Sequence, residues 1–354
     1  MTIDELMKKP GDWLSGAGPM SDIVISSRIR LARNVAGYPF LSKATPEQRG
    51  ELTDLVRTHA DARATQGRWS YVDVDGLDEI DQRILVERHL ISRQHAEAKG
   101  GRGVSIAENG ADSVMVNEED HLRLQVLRSG LQLDETWEEI SRLDDALEDK
   151  IEYAFHPRYG YLTACPTNIG TGIRVSVMLH LPALKLTGEL ERVFRAAKDM
   201  RLAIRGLFGE GTEATGDFFQ VSNQVTLGRT EEEIIDDFRN LVIPKIVDYE
   251  HKARQSLVQE RPAALDDRVW RSYGTLLHAR TIGSEETMLH LSHLRMGINL
   301  GRIRELDLRT VNELFLVTQP AHLQRMHGAR MNGEQRSAAR ADYIRHRLSH
   351  AGNN

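Results

Sequence analysis

The periodicity of the apolar residues changes once along the chain, and this change constrains the fold more than any other feature. Up to about residue 257, segments with the two-residue alternation of strands, such as GIRVSVMLH at 172–180, are interleaved with helix-like segments. Beyond that point every periodic segment is helix-like. The sequence therefore predicts an α+β domain over 21–255, with a central antiparallel sheet flanked by helices, followed by an all-helical domain over 260–354.

Local signals refine this division. Thr45 with Gln48, and Thr230 with Glu233, have the spacing of capping boxes at helix starts, and the second box opens a predicted long helix over 230–257. Apolar residues at helical spacing also favour a helix within 81–98, whereas GRGVSIAENGADSVMV predicts a hairpin. Residues 1–20 are expected to form a loose N-terminal arm.

Composition excludes several classes of protein. A net charge of −6 gives no overall signature of nucleic-acid binding, and the single cysteine excludes an intrachain disulfide and a multi-cysteine metal site. The first 18 residues lack the apolar region of a signal peptide, and no stretch approaches the roughly 18 apolar residues of a membrane span. We therefore expect a cytoplasmic protein that binds neither membranes nor nucleic acid.

Four polar stretches lie at predicted strand ends or loops, where binding and catalytic groups collect. In the first, SSRIR at 26–30, Arg28 and Arg30 share one face of a strand. Paired guanidinium groups suit a polyphosphate, because each can donate two hydrogen bonds to phosphate oxygens. The alternative interpretation is a strand face turned towards solvent.

The second stretch, NEEDHLR at 117–123, has four adjacent ionisable groups. Because these groups would repel one another in a single site, some must contact different partners. One carboxylate could act as a base or bind a cation, and Arg123 is a further candidate for phosphate binding. The alternative is an ordinary charged loop.

The third stretch, CPTNIGTGIR at 165–174, holds Cys165 in a polar, glycine-rich turn. Arg174 follows on the strand face shared by Ser176 and Met178, so it points to the side of any ligand at the Cys165 loop. Neighbouring cationic groups would lower the pKa of the thiol and favour the thiolate. The alternative is a cysteine that only fills space in the core.

The fourth stretch, RGLFGEGTEATG at 205–216, is glycine-rich, with Glu210 and Glu213 at its tip, and is typical of a mobile flap. Its glycine spacing imitates a dinucleotide fingerprint, but it follows a helix and no helix follows it, so that function is excluded. The chain also lacks a Walker A motif, the motifs of the eukaryotic-type protein kinases and any His, Cys or Glu spacing typical of a metal site.

Together the stretches resemble the phosphagen (ATP:guanido) kinase family, in which SSRIRLARN, NEEDHLR, CPTNIGTGIRVSV, RGLFGEGTE and VSNQVTLG occur in this order. The resemblance covers about residues 22–252. HLPAL and the helical tail are similar, more specifically, to the bacterial protein-arginine kinases (McsB type). Because the motifs begin by residue 26, the family's separate helical N-terminal domain is expected to be missing.

The resemblance implies a role for each site residue. Glu119 would hold the substrate guanidinium and serve as base, Glu210 would be the second carboxylate, and Cys165 would contact the same guanidinium as a thiolate. Such a set could orient a guanidinium, a poor nucleophile with a pKa above about 12, and accept its proton. The nucleotide site implied comprises Ser26, Ser27, Arg28, Ile29, Arg30, His89, Arg123, Arg174, Val175, Ser176, Val177, Met178, Arg205, Gly206, Leu207, Phe208 and Gly209.

ATP and Mg²⁺ are the cofactors that the resemblance implies, with Mg²⁺ held by ATP oxygens and water and not by a protein metal site. The chain departs from the family at Gln220, where an aspartate is common before VSN. The tail of the protein-arginine kinases carries an RDxxRA motif that binds phosphoarginine allosterically, and here it reads RSAARA, with Ser337 in place of the aspartate. The resemblance therefore implies a phosphoarginine site of altered selectivity at Arg336, Ser337, Arg340 and Ala341.

The expected function is transfer of the γ-phosphoryl group of ATP to arginine side chains in proteins, marking them for Clp-type degradation in the stress response. Two alternatives stay open: a kinase of free arginine and a non-catalytic phosphoarginine reader or adaptor. The partners implied are proteins with exposed arginines, a zinc-finger activator, a Clp unfoldase or protease and a second copy of the chain in a homodimer.

Overall fold

A large antiparallel sheet is the centre of the fold. The computed structural model describes residues 1–9, 11–60, 68–206 and 215–351. Within these ranges the strands are β1 (Val24–Arg33), β2 (Trp69–Asp73), β3 (Gly103–Ala107), β4 (Ser113–Val116), β5 (Leu122–Ser129), β6 (Phe155–His156), β7 (Gly160–Tyr161), β8 (Ile173–His180), β9 (Leu202–Gly206) and β10 (Phe218–Asn223). Eight of them form the sheet in the order β2-β3-β4-β5-β1-β8-β10-β9, and β6 pairs with β7.

Helices cover the sheet and form the C-terminal region. They are α1 (Ile3–Met7), α2 (Pro46–Ala60), α3 (Glu79–Glu87), α4 (Arg93–Glu97), α5 (Leu133–Glu148), α6 (Pro182–Thr187), α7 (Leu190–Asp199), α8 (Glu231–Asp236), α9 (Ile243–Glu260), α10 (Pro262–His278), α11 (Ser284–Asn299), α12 (Leu308–Val317), α13 (Pro320–His327) and α14 (Gly333–Ala351). The α+β class with a helical C-terminal region is confirmed. None of the helices in the described ranges is long and apolar enough to cross a membrane.

The two faces of the sheet differ because side chains alternate along each strand. On β1 and β8, Ile29, Val175 and Val177 point to one face and are completely buried in the main core. The opposite face carries the polar set, and the register places Arg28 beside Ser176 and Arg30 beside Arg174. This alternation is the one that the sequence predicts for β8.

The helical region shares one apolar core with the sheet domain. Helix α11 supplies Arg295, which is fully buried and donates hydrogen bonds to the backbone oxygens of Ser21 (2.5 Å) and Asp22 (2.8 Å) at the start of β1. Helix α9 extends to Glu260, and α10 begins at Pro262, because proline is well suited to the first turn of a helix.

Local structure differs from the sequence expectation at three places. The N-terminal segment is not loose: Leu6 and Trp13 are buried. The helix expected within 81–98 is interrupted between α3 and α4, where His89 has a left-handed backbone (φ 60°). The long helix from Thr230 contains a π-helical turn at Asp237–Val242, just before Pro244, whose missing N–H disturbs the α-helical ladder.

The turn signals, by contrast, are confirmed. Thr45 and Gln48 exchange two hydrogen bonds, of 3.0 and 3.3 Å, and Thr230 forms its capping box with Glu233. Strands β3 and β4 pair as the expected hairpin. Short-range signals therefore placed these helix starts and this turn correctly.

Candidate active site

Five arginines converge on the polar face of the sheet, and we call this group the arginine crevice: Arg28, Arg30, Arg123, Arg174 and Arg205. They come from four strands, β1, β5, β8 and β9, at positions whose side chains share one face. Arg28 Nη2 donates to Gln220 Oε1 (2.6 Å), and Arg28 Nε donates to Ser176 Oγ (3.3 Å). The position that departs from the family pattern thus contacts the crevice.

The electrostatics of the crevice favour an anion. Burial, and then the positive charges of Arg174, Arg123 and Arg205, lowers the pKa of Arg28 to about 10. Burial and the same kind of repulsion lower the pKa of Arg30 well below its ordinary value. Arg30 Nε is also buried without a hydrogen-bond partner in the described part of the chain. A polyphosphate would supply both the missing charge and the missing acceptors, so the residues fit the phosphates of ATP.

His89 lies at one end of the crevice, on a wall formed with Trp13. The two rings meet edge to face with centroids 5.1 Å apart. Burial, followed by the charges of Arg28 and Arg30, lowers the pKa of His89 to about 3, so the imidazole is neutral near pH 7. A narrow cleft between this wall and Arg28, Ser176 and Gln220 has a polar and aromatic lining beside the arginine crevice.

The acidic segment after β4 divides its charges among different partners, as its sequence requires. Glu118 is almost fully buried and contacts Arg123 (2.6 Å) and Ser92 (2.6 Å). Burial raises the pKa of Glu118, but Arg123, Ser92 and a backbone N–H outweigh it, and the pKa lies below its ordinary value. His121 is structural: its Nδ1 accepts from the N–H of Val35, and its Nε2 lies 3.0 Å from the carbonyl of Pro39.

Glu119 is the exposed carboxylate of this segment. Its side chain is 38% exposed and accepts from Arg123 Nη2 at 2.9 Å. The carboxylate therefore binds a guanidinium group in this structure while remaining accessible from solvent. These are the two properties that a residue receiving a substrate guanidinium needs.

Cys165 lies in a loop that is fastened to the same segment. Asp120, the residue after Glu119, accepts at Oδ1 from the backbone N–H of Ala164 (2.7 Å) and from Asn34 Nδ2 (2.7 Å). This buried carboxylate therefore joins the Cys165 loop to the acidic segment. The Cys165 thiol is partly exposed and lies 3.0 Å from the Thr167 hydroxyl. Its position is not that of a buried core filler.

The glycines of this loop are needed for its shape. Gly172 has a left-handed backbone (φ 66°), and a Cβ there would lie 2.6 Å from the backbone oxygen of Ala32. Thr226 donates to the carbonyls of Thr167 (3.1 Å) and Ile169 (2.7 Å) on the other side. The loop is thus fixed between β1 and the segment after β10.

The remaining predicted nucleotide residues fall into three groups. The first group is completely buried and does not face the crevice: Ser27, Ile29, Val175 and Val177. Of these, Ser27 donates a hydrogen bond to the carbonyl of Gly130. Ser26, Ser176 and Met178 line the cleft beside Arg28. Gly206 ends β9, whereas Leu207, Phe208, Gly209 and Glu210, with the rest of the predicted flap up to residue 214, lie outside the described residues.

The predicted tail site has a different geometry from the one expected. Arg340 is 2% exposed and donates to the carbonyls of Thr318 (2.9 Å) and Ile282 (3.0 Å) and to Ser284 Oγ (2.8 Å). Arg336 and Arg340 therefore do not form an open pair in this structure, because Arg340 donates to the carbonyl that follows α12. Ala341 is buried as well, whereas Arg336 and Ser337 are partly exposed. Phosphoarginine binding at this position stays a prediction.

Sequence reasoning missed three residues that shape the site: Trp13, Gln125 and Asp120. Trp13 packs on His89, Gln125 Nε2 donates to the His89 carbonyl (2.8 Å), and Asp120 holds the Cys165 loop. The contacts of Trp13 join segments far apart in the chain, and no local pattern signals them. Asp120 stood inside a motif that the sequence does signal, but its role depends on burial.

Metal binding by protein groups alone finds no support in the described part of the chain, where no three His, Cys, Asp or Glu side chains are grouped to hold an ion. The phosphate oxygens of a nucleotide in the arginine crevice would be suitable Mg²⁺ ligands.

Comparison with known proteins identifies two family matches. Residues 51–253 match the family model "ATP:guanido phosphotransferase, C-terminal catalytic domain", and residues 262–354 match "Protein-arginine kinase McsB C-terminal domain". The chain is 45% identical to a protein-arginine kinase of Halothermothrix orenii over 99% of this chain and 100% of that protein. It is 47% identical to a protein-arginine kinase of Symbiobacterium thermophilum over 95% of this chain and 96% of that protein.

Solved structures are similar to this chain over about 70% of its length. The duplicated taurocyamine kinase from Schistosoma mansoni, with bound transition-state analogue components, gives a TM-score of 0.61 at 26% identity, over 71% of this chain and 36% of that one. A lombricine kinase gives a TM-score of 0.58 at 25% identity, over 70% of this chain and 75% of that one. The fold, the site geometry and the full-length similarity agree: the chain belongs to the ATP:guanido phosphotransferase family, in its protein-arginine kinase branch.

Proposed function

We propose that this protein transfers the γ-phosphoryl group of ATP to the guanidinium group of arginine side chains in proteins. The observation that carries the proposal is the juxtaposition of two sites of opposite chemistry. The arginine crevice collects five cations with depressed pKa values for Arg28 and Arg30, and directly beside it Glu119 already contacts a guanidinium, that of Arg123. The full-length similarity to protein-arginine kinases supports a protein-bound arginine as acceptor.

In the proposed reaction the crevice binds the phosphates and neutralises the charge that develops on the phosphoryl group. Glu119 orients the acceptor guanidinium and takes its proton, because a protonated guanidinium has no lone pair to attack phosphorus. Cys165, on the loop that Asp120 holds, contacts the same guanidinium. Mg²⁺ would enter with ATP and supply electrostatic stabilisation of the phosphates.

The proposal extends to the wider role that family membership suggests. Proteins modified on exposed arginines would be marked for a Clp-type protease, and a zinc-finger protein would act as activator. The helical region, with α14 at its surface, would provide a homodimer contact. What supports this extension is the similarity of residues 262–354 to the McsB C-terminal domain.

The direct test is to incubate the protein with MgATP and an unfolded, arginine-rich protein, and to search for acid-labile phosphoarginine by mass spectrometry at neutral pH. We expect phosphoarginine with wild type and a loss of at least 100-fold in rate for Glu119→Gln, in the range of removing a positioned base. Glu138→Gln, on the exposed side of α5, is the matched control and should keep wild-type activity.

Free arginine in a parallel reaction separates the alternatives. A specificity constant for free arginine equal to or above that for protein would identify a free-arginine kinase. Phosphoarginine binding with no phosphoryl transfer to either acceptor would identify a reader or adaptor. Either outcome would overturn the proposal.

A further inference from the structure

A short segment, Glu87 to His89, connects the helical region to the arginine crevice. Glu87 is the last residue of α3, and His89 follows it in the interruption before α4. The left-handed backbone of His89 (φ 60°) is unfavourable for a residue with a side chain, by about 1–2 kcal/mol. The His89 N–H donates to the Val86 carbonyl and the Leu90 N–H to the Leu85 carbonyl (2.9 Å each), so the turn ends α3, and Gln125 Nε2 on β5 donates to the His89 carbonyl (2.8 Å).

Glu87 caps a helix that is more than 230 residues away in the chain. Its carboxylate accepts the N–H groups of Ala321 (2.8 Å) and His322 (3.1 Å) in the first turn of α13, and His322 Nδ1 lies 2.6 Å from Glu87 Oε2. The first N–H groups of a helix need acceptors from outside it, and Gln319 at the N-cap makes no side-chain cap. Glu87 therefore fastens α13 to the end of α3.

Arg88 strengthens the same junction. Its Nε donates to His322 Nε2 at 3.2 Å, while its Nη2 donates to the carbonyl of Lys9 at 2.9 Å in the N-terminal segment. His322 is fully buried, so Nδ1 donates to Glu87 and Nε2 accepts from Arg88 in one neutral tautomer. One histidine of the helical region thus fixes both residues that precede His89.

The wall formed by His89 and Trp13 separates two clefts. On one side is the narrow cleft beside Arg28. On the other side is a second narrow cleft, which Glu87 lines together with Phe315, Leu316 and Gln319 of the helical region. A shift of α12 or α13 would therefore move the wall towards or away from the nucleotide side.

We propose that Glu87 is a positioning residue for ATP binding: by holding the first turn of α13 it fixes His89 and Trp13, and through it the helical region sets the affinity for the nucleotide. The inference rests on the proposed function in one respect, the presence of the nucleotide in the arginine crevice. It requires no contact between the helical region and ATP.

The test compares Glu87→Gln with wild type by calorimetric titration with MgATP, in the absence of any acceptor. Glutamine keeps the size of the side chain but removes its charge and one strong acceptor. We expect the Kd for ATP to rise about 5- to 20-fold, the range of a modest coupling between sites. In steady-state assays KM for ATP should rise in parallel, while kcat changes less than about twofold. Glu79→Gln on the same helix, where Glu79 pairs with Arg83 at the exposed surface, is the matched control and should bind ATP like wild type.

A double-mutant cycle tests whether Glu87 acts through His89. We expect His89→Ala to weaken ATP binding and Glu87→Gln to add less than twofold in its presence, because the coupled effects are not additive. Equal ATP affinity of Glu87→Gln and wild type, or full additivity in the cycle, would overturn the inference. Should Glu87→Gln fail to fold by circular dichroism, His322→Gln, which removes the donor to Glu87, is measured in the same way with the same expectations.

The titration with ATP does not depend on which acceptor the protein phosphorylates. Weaker ATP binding by Glu87→Gln, together with a wild-type protein that forms no phosphoarginine, would support the inference and contradict the proposed function. A protein that forms phosphoarginine normally, with unchanged ATP affinity in Glu87→Gln, would support the function and contradict the inference.

Discussion

Arg33 joins the sheet to the loop that carries Cys165, and its replacement by alanine should destabilise both. The side chain is 2% exposed at the end of β1. Its guanidinium donates to Asp144 on α5 (2.6 and 3.1 Å) and to the carbonyl of Thr171 (2.9 Å), and lies 3.6 Å from the centre of the Tyr161 ring. Arg33→Ala would leave a buried carboxylate without its counter-charge.

The size of the effect follows from these contacts. Breaking a buried ion pair on one side costs about 3–5 kcal/mol, and the lost donor to Thr171 adds about 1 kcal/mol. The sum is a large part of the roughly 5–15 kcal/mol that stabilises a typical domain. For a chain of 354 residues that unfolds as one unit, it corresponds to a fall in Tm of about 5–8 °C.

The assay is thermal and urea unfolding followed by circular dichroism, with two further variants. Arg33→Met combined with Asp144→Leu removes both charges and should recover at least half of the lost stability. Arg271→Ala removes an exposed pair with Asp267 and should change the free energy of unfolding by less than about 0.5 kcal/mol.

The pH dependence gives an independent check on the same variant. Burial raises the pKa of Asp144 and Arg33 lowers it, so the loss of Arg33 raises the pKa of this carboxyl group further. A group whose folded pKa is raised favours the folded state at low pH and loses this contribution as pH rises. The stability difference between wild type and Arg33→Ala should therefore shrink between pH 7 and pH 5. A fall in Tm below 2 °C, or a double variant as unstable as the single one, would refute this reasoning.

Three further predictions address the site, the tail and one buried histidine. Cys165→Ser should keep ATP affinity and lower turnover at least tenfold, about 1.4 kcal/mol in barrier, by phosphoarginine assay; unchanged turnover would show that the thiol has no role. Arg340→Ala should destabilise the fold by about 2–4 kcal/mol in urea unfolding, because two buried carbonyls lose their donor. Arg336→Ala should change the free energy of unfolding by less than about 1 kcal/mol and should weaken phosphoarginine binding in a titration. A larger loss of stability for Arg336→Ala than for Arg340→Ala would contradict the structural role of Arg340. Burial lowers the pKa of His95 to about 4, below its value in the unfolded chain, so the free energy of unfolding should fall as pH drops below about 6.5. At pH 5.5 this histidine should account for a loss of about 1.4 kcal/mol. His95→Gln should flatten the curve of unfolding free energy against pH, and an unchanged slope would contradict the prediction.

The parts of the fold that could be predicted from sequence are those with local causes. The alternation along β8 gave the face of Arg174 and Ser176, and side-chain caps gave the starts of α2 and α8. The interruption at His89 could not be predicted, because its left-handed backbone ends α3 through hydrogen bonds to Val86 and Leu85, and no glycine or asparagine marks that position in the sequence. The π-helical turn at Asp237–Val242 could be predicted only in part: Pro244 indicates that the helix is disturbed, but the sequence does not show that the disturbance is a π-helical turn.

For the candidate site, the motifs identified which residues converge, and the structure supplied how each is held. The five arginines come together as the resemblance implied, although Arg205 lies on strand β9, where the sequence indicated a helix. The tail motif was less informative, since the spacing of Arg336 and Arg340 is the same whether both are open or one is buried. Only the neighbouring carbonyls of Thr318 and Ile282 decide between these possibilities.

The order of the strands has a consequence for how the chain folds during synthesis. The central strand β1 leaves the ribosome early, yet its two neighbours are β5, which begins at Leu122, and β8, which begins at Ile173. At roughly 5–20 residues per second, the apolar face of β1 stays without a partner for about 5–20 seconds before β5 emerges, and longer before β8 does. The arginines of β1 and β8 are thus brought together only after about half of the protein has been made, and nascent chains that stall before this point expose an unpaired, aggregation-prone strand.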